Sequence, residues 1–137
     1  MANPGPATTV SIHPQGLQSN QAIRLLAVYK GVNINAVGDT AMPVINTTSY
    51  SVSNIVLTNA SVSLTTALGG VFTAVGGNGT TLMTSAALSA NTSAAVVTQE
   101  TVATTNAQVA QNLYFRVATA QGAAATADVY VYGYDLS

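Results

Sequence analysis

The chain has 137 residues, enough for one domain, and is 48% hydrophobic with only 5% charged side chains. Three basic residues and a net charge of −1 cannot neutralise a phosphate backbone, so nucleic acid is excluded as a partner. High hydrophobicity with little net charge also excludes a disordered chain.

The elements begin with an atypical terminus. Residues 1–20 hold Pro4, Pro6 and Pro14 with Gly5 and Gly16 and show no hydrophobic period. They predict either a floppy terminus or an extended N-terminal arm, mobile in the free protein and ordered only on a partner, with the apolar pair Val10 and Ile12 to dock with. The arm has neither a basic n-region nor an apolar h-region, so no signal peptide is read and synthesis in the cytoplasm is expected.

Residues 21–137 predict the folded domain. Ala22–Val32 is β-rich; with Arg24 and Lys30 inside it, it is too short and too charged to span a membrane, and no membrane partner is expected. Thr40–Ile45 is a short strand that Pro43 confines to a sheet edge. Ser49–Asn59 alternates, and the change of parity between Val52 and Ile55 predicts a bulge. Ser61–Ala67 alternates Val62 and Leu64 against polar residues and predicts a further strand. Val71–Val75 and Thr80–Thr84 read as a hairpin around Gly76-Gly77-Asn78-Gly79.

Ser85–Ala90 predicts a helical turn, Ala94–Thr98 a short strand, and Val102–Gln111 fits neither period cleanly. Asn112–Thr119 and Ala127–Tyr134 are the clearest strands. In the last, Val129 and Val131 share one face while Tyr130, Tyr132 and Tyr134 share the other. About eight short strands and no long amphipathic helix predict an all-β sandwich, with a jelly roll the architecture that fits best.

Little in the chain points to chemistry. His13 is the only histidine and sits beside Pro14 in the arm, without the packing or carboxylate that a catalytic triad needs. No Cys or His companion gives it a zinc site, and no Asp-rich loop offers calcium ligands. Asp39, Glu100, Asp128 and Asp135 show no spacing that pairs two of them for acid–base work. The segment Gly69 to Thr80 lacks the lysine and the following helix of a phosphate loop. The sequons at Asn46, Asn59, Asn78 and Asn91 carry little weight without a signal peptide. No enzyme activity, cofactor or metal is expected.

The tyrosine stripe does have binding content. Alternate tyrosines on one strand face form an amphipathic ridge suited to a core, a protein interface or a sugar platform. The candidate interface residues are therefore Val10, Ile12, Tyr130, Tyr132 and Tyr134. A surface of Thr, Ala, Ser and Asn with few ions to desolvate suits a subunit packed within an assembly.

Gly38-Asp39-Thr40, Thr58-Asn59-Ala60-Ser61, Leu64-Thr65-Thr66-Ala67 and Gly69-Gly70-Val71-Phe72-Thr73 form a progression of turn and strand signatures. With Thr119-Ala120-Gln121-Gly122 and Ala127-Asp128-Val129-Tyr130-Val131 it resembles the small jelly-roll cement, or decoration, proteins of tailed bacteriophage capsids. The likeness runs from about Ala22 to the C-terminus. It implies a structural virion protein on the capsid exterior, bound as a dimer or trimer across neighbouring major capsid protein subunits. It carries over no catalytic residue. The alternative is another virion component, such as a tail or fibre subunit or a host-surface carbohydrate-binding module.

Overall fold

The computed structural model describes residues 22–137, and the arm expected over residues 1–20, with Val10, Ile12 and His13, lies outside them. Eight strands follow one another: β1 (Arg24–Asn33), β2 (Gly38–Pro43), β3 (Tyr50–Thr58), β4 (Leu68–Ala74), β5 (Asn78–Ala87), β6 (Thr98–Glu100), β7 (Asn112–Thr119) and β8 (Thr126–Asp135). They form two four-stranded sheets with the orders β1-β8-β3-β6 and β2-β7-β4-β5. Every pairing is antiparallel, and each of the first four strands lies beside one from the second half. Two Greek keys interleaved in this way are a jelly roll.

Alternation explains which faces meet. Leu113, Phe115 and Val117 of β7 and Ala127, Val129 and Val131 of β8 point inward and are buried. They pack with Leu26, Met42, Ile55, Leu57, Val71 and Leu82 into one core between the sheets. In β3 the register slips between Val52 and Asn54, so Val52 and Ile55, three residues apart, are both buried. That is the bulge the change of parity predicts. Pro43 ends the edge strand β2, where its missing N–H costs no ladder bond.

The β4–β5 connection is a 3-10 turn over Val75–Gly77, and Gly76, Gly77 and Gly79 have φ near +75°. Only glycine reaches that region without strain. Asp39, opposite Arg116 in the ladder, pairs with it at 3.1 Å and accepts the Gly76 N–H at 2.9 Å, which ties the turn to the sheet.

Three expected elements differ. Residues 61–67 are not a strand but the crossing from one sheet to the other. Their backbone is satisfied by Gln121, whose Oε1 accepts the Thr66 and Ala67 N–H groups and whose Nε2 donates to the Ser63 carbonyl. Ser85–Ala90 is no helical turn: β5 continues to Ala87, and Leu88 then enters the core. The strand expected over Ala94–Thr98 begins only at Thr98. Val102–Gln111 is irregular chain lying along β3, where Tyr50 and Gln108 exchange both backbone hydrogen bonds.

Candidate interface on the outer face of the tyrosine sheet

The inward turn of Val129 and Val131 sends Tyr130, Tyr132 and Tyr134 to the outer face of the β1-β8-β3-β6 sheet. They are not core residues: Tyr130 and Tyr132 are half-buried and Tyr134 is 37% exposed. The rings of Tyr130 and Tyr132 stand side by side, with centroids 6.3 Å apart and planes inclined by 12°.

Antiparallel register places partners on the same face, so the neighbours follow from the ladder. Val28 of β1 and Val56 of β3 flank Tyr130, while Leu25 and Asn54 flank Tyr132. Ser51 lies beside Tyr134. All five are partly buried. The result is two rows across three strands, apolar at their centre and without a charged side chain.

Three ionic groups around this face, Asp128, Arg24 and Asp135, are held by their own molecule. Asp128 shares the tyrosine side but is buried, accepting the Gly31 N–H at 2.8 Å and the Asn59 amide at 3.2 Å. Arg24 donates to the Ile45 and Asn46 carbonyls and lies 3.4 Å from Asp135. Ser137 and Thr47 hold the Asp135 carboxyl well below the usual range through short hydrogen bonds, with Arg24 adding a smaller pull. Lys30, exposed on the edge strand β1, forms no ion pair among the described residues.

Other candidate groups stay apart. Glu100 lines a slot of about 170 Å³ with Met83, Ser85, Thr101 and Ala103, and its carboxylate accepts from the Thr98 hydroxyl. Among the described residues no three His, Cys, Asp or Glu side chains lie close enough to hold a metal ion. Burial pushes Tyr50 up to about 12, and its hydroxyl donates to the Ala110 carbonyl at 2.6 Å as part of the core edge. Of the sequons, Asn91 is fully buried and bonded to Thr98, so the fold closes it to glycosylation.

The tyrosine stripe alone announces this face in the sequence. Leu25, Val28, Asn54 and Val56 join it only through strand pairing; Asn54 and Val56 alternate within β3, whereas Leu25 and Val28 are three residues apart across a register shift in β1. Comparison with protein-family models, characterised proteins and solved structures finds no match to this chain.

Proposed function

We propose that the chain is a structural virion protein that decorates a phage capsid by binding across neighbouring major capsid protein subunits. The observation that carries this reading is the uncharged tyrosine face, beside which Asp128, Arg24 and Asp135 are already bonded within the domain. At about 25 cal/mol per Å², burying roughly a few hundred Å² of apolar surface is worth several kcal/mol, against at most about 1 kcal/mol for a surface ion pair. Lost translational and rotational freedom costs a comparable amount, so several contacts on a repeating lattice, or an oligomer, supply the remainder. A sugar platform fits the face less well, because Tyr130 and Tyr132 turn their ring faces toward each other.

The test counts bound copies on capsids that lack the protein, at subsaturating concentration and over a salt series. Tyr130→Ser or Tyr132→Ser should lower the bound copies at least tenfold, and Lys30→Ala or Arg116→Ala less than twofold. The wild type should bind equally well at low salt and near 1 M, where the Debye length is about 3 Å. Stripping by moderate salt would refute the apolar mechanism. Absence of the chain from capsids, or tens of copies confined to a tail, would favour the fibre or carbohydrate-binding reading.

A further inference from the structure

We infer that Asn78 is a self-modification site, whose side-chain amide is lost to attack by the Gly79 nitrogen and replaced by a carboxylate in the β4–β5 turn. The chain's other ten asparagines are followed by Pro, Gln, Ile, Ala, Thr or Leu, and Asn78 alone precedes glycine. A side chain on the following residue crowds the backbone nitrogen that must attack, and glycine has none. The fold separates Asn78 from its competitors further. Asn91 is fully buried, and the Asn59 amide is held by Asp128. Asn78 is exposed at the end of the turn, with φ −97° and ψ −178°. At that ψ the Gly79 nitrogen stands gauche to Cβ, so rotation about the Cα–Cβ bond brings Cγ against it.

The step needs only water. The Gly79 nitrogen gives its proton to hydroxide and attacks Cγ of Asn78. The N–Cγ bond forms, the Cγ–Nδ2 bond breaks, and the amide nitrogen takes a proton from water and leaves as ammonia. The five-membered imide that results then takes up water. Opening at the side-chain carbonyl leaves aspartate in a normal backbone. Opening at the main-chain carbonyl leaves isoaspartate, with the chain running through the former side chain. Nothing is oxidised or reduced.

The turn makes the change consequential. The Asn78 Nδ2 donates to the Val75 carbonyl at 2.9 Å, and a carboxylate in its place offers that carbonyl no proton. Nδ2 and Asp39 also converge on Gly76: Asp39 Oδ2 accepts the Gly76 N–H at 2.9 Å, and a Cβ on Gly76 would lie 3.0 Å from Nδ2. Arg116 passes under Gly77, where a Cβ would lie 3.4 Å from its Cδ. The new carboxylate therefore repels Asp39 and competes with it for Arg116, and the formal charge of the chain moves from −1 to −2. Isoaspartate also adds a methylene to the backbone at Asn78, which faces Ala74 in the β4–β5 ladder. Both products loosen the tie between the turn and the sheet.

The inference stands apart from capsid attachment, so either can fail alone. Purified full-length protein is aged in mildly alkaline buffer and its peptides are mapped by mass spectrometry. Asn78 should account for more than half of all amide loss, with aspartate and isoaspartate both present there. Isoaspartate is the mark of the ring, because direct hydrolysis gives aspartate alone. Asn78→Ser removes the amide but keeps a turn-forming residue, and should lower isoaspartate in the chain at least twofold. The converted fraction, separated by ion exchange, should exchange its Gly76 amide hydrogen faster than the intact fraction. An intact Asn78 after ageing, or aspartate there without isoaspartate, would overturn the proposal. Equal exchange at Gly76 would overturn the effect on the turn.

Discussion

Asp135 shows how much of this low-charge domain's ionic content is spent on holding the chain together. Its Oδ1 lies 2.7 Å from the Thr47 hydroxyl and accepts the Ser137 backbone N–H at 3.0 Å and its hydroxyl at 2.6 Å. These contacts fasten the end of β8 to the segment that leads into β3. Because they favour the ionised form, the folded domain binds a proton at Asp135 less readily than the unfolded chain. Stability from this group is complete above the unfolded carboxylate pKa of about 4 and is lost as pH falls toward the lower folded value. Asp135→Asn should therefore reduce the loss of stability below about pH 4, measured by urea unfolding at a series of pH values. An unchanged acid limb would assign the acid sensitivity to the other carboxylates.

At the scale of the element, β8 is constrained by what lies on either side of it. It runs between β1 and β3, and a Cβ at Gly133 would run into the Ser51 carbonyl of β3 and come within 2.7 Å of a Leu26 methyl group. Ser51 lies just before the β3 bulge, where the backbone is displaced from a regular ladder. Gly133 therefore serves close packing between backbones rather than a turn. Gly133→Ala should cost about 1–3 kcal/mol by overpacking, a fall of roughly 1 M in the urea midpoint. An unchanged midpoint would mean that β3 can move aside, and the bulge would then be softer than its packing implies.

For the whole molecule, both sheets and one continuous core, which also draws on Ile34, Leu64 and Leu88 from the connections, lie among the described residues. Eight paired strands around that core make a closed unit, so the domain should fold without residues 1–20. A chain lacking residues 1–20 should keep an all-β circular dichroism spectrum and melt within about 4 °C of the full chain, the shift expected from less than about 1 kcal/mol. Unfolding on deletion would make the terminus part of the core.

The sequence by itself determined the class of fold. Alternation in residues 112–119 and 127–134, the glycine-rich turn and the parity change at Val52–Ile55 are local signals, because strand faces and positive φ are properties of a few neighbouring residues. Ser61–Ala67 misled because a sheet-to-sheet crossing can alternate too, and its bonds go to no single neighbouring strand but to Leu88, Asn91, Gln121 and Thr126. The Ala-rich run after Thr84 misled because weak helix propensity yields to an available ladder against β4. The candidate site was half legible: the tyrosines share a face in any strand, but whether that face is inside or outside is not a local property. Only the tertiary structure decided it, by packing Val129 and Val131 against the second sheet and pairing β8 with β1 and β3. Those pairings join residues about seventy to a hundred and ten positions apart, and their register is set by which side chains the core excludes from water.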